Sequence, residues 1–294
     1  MSSSSSVSAD TFAAEAALFN ICSLLGVLSL TLIVATAYFS TTVHRSELWF
    51  RHMIAWIVYS AAYLALAGHQ GGSDPPFGLC FYQAALIYAV PIFPTLSAFC
   101  FVADLYIRLS AVVHNKRKIR PALKTFLGLF PLIVLACVFT EAMVLVIDPS
   151  TVGLEQNGLY CHVTTTRQSL ISGGIILMTG LLIFPLEIWI AVVLYRNWRS
   201  FRGSRSPEQH LFLTMFIRIV LFTIISMLGV GLSSMSIGSP SAPKPYWTRL
   251  VLTIVPIIAA ITFGSQEDIM RSWIFWREPP PDLSKPEMDA DVGV

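Results

Sequence analysis

The sequence predicts an all-α membrane protein, a seven-transmembrane helix bundle with a short amphipathic cytosolic helix after the seventh span. Three observations predict it. Hydrophobic residues make up 55% of the 294 residues and charged residues only 12%, with a mean hydropathy of +0.68. A soluble domain carries about a quarter charged residues, so lipid must be the solvent for much of this chain. Seven apolar stretches reach about the 20 residues needed to cross a hydrocarbon core. Lysines and arginines crowd into alternate connections, the asymmetry that orients helices in a membrane.

Residues 1–15 read as an extracellular tail, a serine run followed by Asp10 and Glu15 with no basic segment of the secretory kind. Residues 16–263 form the transmembrane domain. Its first span, Ala16–Phe39, is too long for a cleaved leader and reads as a signal anchor. The second is Trp49–Ala67, opened by Arg51 and His52. The third, Leu79–Val113, is over-long and predicts a tilted helix. Ala122–Ile147, Ser169–Tyr195, His210–Ser234 and Tyr246–Phe263 complete the set.

Orientation follows from charge. The connections after spans one, three and five, with the tail, hold Arg45, Lys116, Arg117, Lys118, Arg120, Arg199, Arg202, Arg205, Arg271, Arg277 and Lys285. The opposite connections hold only Arg167 and Lys244. The prediction is therefore a multi-pass plasma-membrane protein with its N-terminus outside. Trp49, Trp198, Trp247, Trp273 and Trp276 fall at span ends, as an interfacial belt requires. In residues 264–276, Ile269, Met270, Trp273 and Ile274 share one face, with Glu267, Asp268 and Arg271 away from it. That pattern predicts a helix lying on the inner leaflet. Residues 277–294, with Pro279-Pro280-Pro281 and acidic residues, read as a disordered cytosolic tail.

Five cysteines occur. Cys22, Cys100 and Cys137 lie inside spans. Cys80 and Cys161 alone fall on the oxidising side, so counting points to a disulfide between them; the alternative is two free thiols.

Seven spans, an outer N-terminus, and a cysteine atop the third span matched by one in the second outer loop resemble a G-protein-coupled receptor. The likeness covers nearly the whole chain in topology and is sparse in sequence. Asp104-Leu105-Tyr106 stands where the rhodopsin-like family has Asp-Arg-Tyr, and Val255-Pro256-Ile257-Ile258-Ala259 keeps only the proline of Asn-Pro-x-x-Tyr. The chain is more similar to divergent fungal receptors of the nutrient-sensing and cyclic-AMP-receptor-like kind. Phe263-Gly264-Ser265-Gln266-Glu267-Asp268-Ile269, followed by Trp273, carries most of that similarity. The resemblance implies a receptor, not an enzyme, that senses an extracellular small molecule or nutrient and activates a heterotrimeric G protein. It implies no cofactor and no nucleic-acid partner.

Charges within spans are costly and have reasons. Asp104, Glu187 and Arg218 lie at one depth in the inner half of the membrane, which predicts an ionic latch across the third, fifth and sixth spans. The competing arrangement pairs Asp104 with Arg108 at i,i+4 and lets Arg218 reach the lipid phosphates. Near the outer mouth, Glu141 joins Tyr82, Gln83, Tyr88, His162, Gln168 and Tyr246 as candidate ligand-binding residues; any one of them is more readily a rim residue. Pro91, Pro94, Pro131, Pro185 and Pro256 predict kinks. On the inner face Lys116, Arg117, Lys118, Arg120, Arg199, Arg202 and Arg205 suit a G-protein surface, anionic lipid headgroups, or both.

Rival readings fare worse. A retinal protein needs a mid-span lysine in the seventh helix, where Tyr246–Phe263 has none. The six histidines lie at span ends or loops on both sides and predict no metal site. A membrane transporter, or another non-signalling seven-helix protein, is the serious alternative, although no internal repeat supports it.

Overall fold

The computed structural model describes residues 9–41, 43, 45–70, 75–113, 121–155, 158–164, 166–196, 214, 216–226 and 247–273. Within these, nine helices run in chain order: α1 (Ala9–Phe39), α2 (Glu47–Leu64), α3 (Phe77–Ala89), α4 (Ile92–Val113), α5 (Pro121–Leu145), α6 (Thr166–Arg196), α7 (Phe216–Ser226), α8 (Trp247–Gly264) and α9 (Glu267–Trp273). Four stretches, Thr11–Phe39, Phe77–Ala111, Pro121–Leu145 and Arg167–Arg196, are long and apolar enough to cross a membrane; α8 with α9 makes a fifth if that bent pair is one span.

Their surfaces agree with an apolar solvent. Leu18, Leu25, Leu28 and Leu32 on α1, Leu129 and Ile133 on α5, and Leu177, Leu181 and Ile188 on α6 all face outward. Exposed in water, each would forfeit about 1.5–3 kcal/mol of burial free energy. Helices with such surfaces suggest a membrane-embedded protein. The polar groups are inside instead: His52, Gln83, Asp104, Gln168 and Glu187 are buried.

The predicted third span, Leu79–Val113, is one apolar stretch, Phe77–Ala111, interrupted between α3 and α4 at Val90 and Pro91, where the prolines predict a kink. Pro91 cannot donate to the carbonyl of Ile87, and Pro94 cannot donate to that of Val90, so the ladder opens where the two fall close together. The connection between α5 and α6, predicted only as a loop, holds a two-stranded antiparallel hairpin. Its strands are β1 (Val152–Leu154) and β2 (Cys161–Val163), with Leu154 opposite Cys161. Asp148 starts it by accepting from the backbone N–H and hydroxyl of Ser150, bonds that hold its carboxyl below the usual carboxylate range.

Helix α2 is the axis of the packing. It contacts α1, α3, α4, α5 and α8, while α4 contacts α5 and α6. Ser46 caps it by accepting from the N–H of Trp49 at 3.3 Å. Gly264 ends α8 hard against α1; a Cβ there would lie 2.6 Å from Ile33 Cδ1. The chain then turns 86° into α9.

Candidate functional site

The end of the bundle that the charge asymmetry assigns to the outside carries the chain's own hairpin as a lid. Cys80, at the start of α3, is bonded to Cys161 on β2, which brings their Cα atoms to 5.3 Å. Three neutral side chains fasten the backbone of this lid. Gln70 Nε2 donates to Leu159 O at 2.8 Å, Gln83 Oε1 accepts from the Cys161 N–H at 3.0 Å, and Tyr88 donates to Val163 O at 3.1 Å. Gln70 is held in turn by Asn20 of α1 at 2.6 Å. Leu159 is fully buried and belongs to the main core, so the lid plugs the bundle rather than resting on it.

Below the lid runs a column of rings. Tyr160 lies against Phe19 and Tyr63, at 6.4 and 6.3 Å between centroids. Tyr63 meets Tyr59 at 5.0 Å, Tyr59 meets Trp56 at 5.3 Å, and Trp56 meets His52 at 6.2 Å. His52 is enclosed by Phe101 of α4, Phe222 of α7 and Phe263 of α8. The four α2 residues recur at intervals of four, three and four, one face of a helix. The signal was present in the sequence, but buried rings at helical spacing read as ordinary core until their two ends are located.

The histidine is hydrogen-bonded through both nitrogens. An indole N–H only donates, so Trp56 Nε1, 3.3 Å away, makes His52 Nε2 an acceptor. Nδ1 then carries the proton and donates to Ser97 Oγ at 3.2 Å, which donates to Pro94 O at 3.0 Å. This relay crosses from α2 to the kinked start of α4.

At the opposite end, which the charge asymmetry assigns to the inside, the column reaches a polar hinge. Arg218 of α7 donates to Thr262 O at 2.5 Å, Ser265 Oγ at 2.6 Å and Ser265 O at 3.0 Å. It thereby caps the C-terminus of α8, where the last carbonyls lack helical donors and the helix dipole favours a cation. Arg45, in the turn before α2, donates to both oxygens of Asp268 at 2.7 and 2.5 Å and to Gln266 Oε1. It also lies over the Trp49 ring at 5.7 Å. Trp273 Nε1 donates to Thr36 Oγ1 at 2.8 Å, tying α9 to α1.

Of the two arrangements that the sequence left open, this geometry has the i,i+4 pair at Asp104 and not the latch. Asp104 is paired with Arg108 on its own helix at 2.7 Å. Arg218 binds the α8 terminus and does not meet Glu187, because open helix carbonyls offer it several acceptors at once. Glu187 instead meets the hydroxyl of Thr223 on α7. Asp268, read as lying off the apolar face of this helix, binds Arg45.

The predicted ligand-binding set is divided. Gln83 and Tyr88 hold the lid, and His162 sits on β2 opposite Gly153. Tyr82 faces outward against Phe139. Glu141 pairs with Arg167 at 3.4 Å across α5 and α6. Gln168 is fully buried, and neither end of its amide has a hydrogen-bond partner among the described residues. Tyr246 lies outside the described residues, as do Lys116, Arg117, Lys118, Arg120, Arg199, Arg202 and Arg205. No protein-family model matches the chain, and no curated protein is similar enough to count as a relative.

Proposed function

We propose that this chain is a seven-span receptor that senses a small molecule from outside and activates a heterotrimeric G protein at its inner face. The observation that carries the reading is the ring column. It joins a disulfide-pinned outer lid to the α7–α8 hinge through one face of α2. A displacement of Tyr160 is thus in packing contact with Phe222 and Phe263, whose helices are the ones Arg218 clasps. Tight packing moves between discrete arrangements rather than deforming continuously, which suits a two-state switch.

Two further features support the reading. Four or five of the described helices are long and apolar enough to cross a membrane, which agrees with the larger bundle that the sequence predicts, its N-terminus outside by the charge rule. The unpartnered amide of Gln168, buried near the lid, is a polar contact for a ligand that carries both donor and acceptor. In this reading the resting state is held by the Arg218 clasp, and α7 leaves α8 when the receptor is active.

The test is guanine-nucleotide exchange on a co-expressed α subunit in membranes. Arg218→Met is expected to raise basal exchange severalfold over the unmodified chain. Exchange that neither the unmodified chain nor Arg218→Met supports, together with saturable solute flux into vesicles, would replace the receptor by a carrier.

A further inference from the structure

Where α2 begins and α8 turns into α9, two enclosed side chains carry N–H groups that find no acceptor among the described residues. Trp49 is 0% exposed and Gln266 5%, and neither Trp49 Nε1 nor Gln266 Nε2 has a hydrogen-bond partner. We propose that these groups form a binding site for a small monovalent anion, chloride. Such a site stands whether or not the chain signals.

The two groups belong to one node. The Arg45 guanidinium lies over the Trp49 ring at 5.7 Å and donates to Gln266 Oε1, so the indole and the carboxamide flank the same cation. A carboxamide carries its nitrogen on the carbon that bears its oxygen, which puts Gln266 Nε2 beside that guanidinium. Arg45 also holds both oxygens of Asp268. Arg218, on the α8 terminus, lies within electrostatic reach of Arg45 and Asp268. Two cations therefore share one carboxylate, while Glu267 is paired with the exposed Arg271. The node is short of one negative charge.

That combination selects the occupant. A buried N–H without an acceptor is destabilising, and so is a positive charge without a counter-charge in a dry site; one anion removes both penalties. Water would accept from the two N–H groups but must find acceptors for its own hydrogens, and both unsatisfied groups here are donors. Phosphate and sulfate are larger and carry a second charge that the node does not match, so they stay in the water at its rim. Chloride is small, carries one charge and only accepts. The contrast lies at mid-bundle, where the unsatisfied atoms of Asp104 and Glu187 are carboxylate oxygens, which repel an anion.

The experiment uses the full chain in phosphatidylcholine nanodiscs, exchanges gluconate for chloride at constant ionic strength, and follows the unfolding temperature. Chloride, or bromide in its place, should raise that temperature by a few degrees and saturate, because it binds the folded chain alone. Sulfate should not. Trp49→Phe keeps a ring under Arg45 and removes the indole N–H. Gln266→Glu keeps an acceptor for Arg45 and replaces the donor by an oxygen. Each should raise the chloride concentration at half effect about tenfold, the loss of one charge-assisted hydrogen bond. Arg271→Gln removes an exposed cation outside the node and should leave that concentration unchanged. Equal unfolding temperatures in chloride and gluconate would overturn the proposal and assign the two N–H groups to water. So would a response that sulfate reproduces or that both variants retain, since either is general screening of charge.

Discussion

The two ends of the bundle are fastened by different chemistry. The lid is held by one covalent bond and by amide and phenol groups that carry no charge: Gln70, Gln83 and Tyr88 all bind its backbone. The inner hinge is held by two arginines on carboxylate and carbonyl oxygens. Neutral bonds to backbone are insensitive to salt and hold a fixed shape. Charge-assisted bonds are stronger singly but are exchanged readily for water, phosphate or another protein's acceptors. In the receptor reading proposed above, a rigid lid and an exchangeable floor place the change at the floor.

The largest expected effect breaks the outer end. Replacing Cys80 and Cys161 together by serine removes a crosslink across 81 residues and frees the hairpin that carries Leu159. Loss of such a bond costs about 2–5 kcal/mol. Thermal inactivation of the detergent-solubilised protein should fall well below that of the unmodified chain and lose its sensitivity to reductant. If reductant has no effect on the unmodified chain, the lid is held by its hydrogen bonds alone and the contrast between the two ends weakens.

The inner end should respond to a smaller change and in a different way. Arg45 is 4% exposed and Asp268 22%, so their bond is shielded from water on one side only. Removing one partner of a fully buried pair costs about 3–5 kcal/mol, and an exposed pair is worth under about 1 kcal/mol. Arg45→Met should therefore cost about 2 kcal/mol. Asp268→Asn should cost less, because an amide still accepts one of the arginine's bonds. The double variant should cost less than the two singles combined, measured as a thermodynamic cycle in low and in high salt. A cycle whose coupling does not shrink in high salt would place this pair with the lid rather than with an exchangeable floor.

How much of this could be read from the residues alone follows from what a sequence encodes. Composition and span length are summed along the chain, so the apolar helices and the positions of the first five spans and the seventh were legible, while the predicted sixth, His210–Ser234, lies mostly outside the described residues. The disulfide was legible because only two cysteines fell on one side. The break at Pro91 was half legible: both prolines were noted as kinks, but the helix was drawn through them. The fate of Arg218 was not legible. Depth placed it level with Glu187, yet a guanidinium goes where acceptors are densest, and backbone carbonyls freed at a helix end leave no mark in the side-chain pattern. The hairpin was equally hidden, since three-residue strands held by Gln83 and Tyr88 take their stability from the helices beneath rather than from their own propensity.

The smallest expected effect tests whether neutral bonds matter at the inner end at all. Trp273 donates to Thr36, a neutral side-chain bond between α9 and α1, and Ser272 Oγ lies 3.3 Å from Ser40 Oγ just past the end of α1. Trp273→Phe keeps most of the ring against α1 and loses the donor, leaving a hydroxyl that already donates to Leu32 O at 2.8 Å. Thr36 is therefore not stranded, and the cost should be about 0.5–1 kcal/mol, the net worth of one neutral hydrogen bond. Thr36→Val should cost about the same, and the pair together little more than either. The same thermal assay reads it, and salt should leave the difference unchanged. A cost approaching that of Arg45→Met would mean that α9 is moored by its tryptophan, and that the arginines grip a helix already fixed in place.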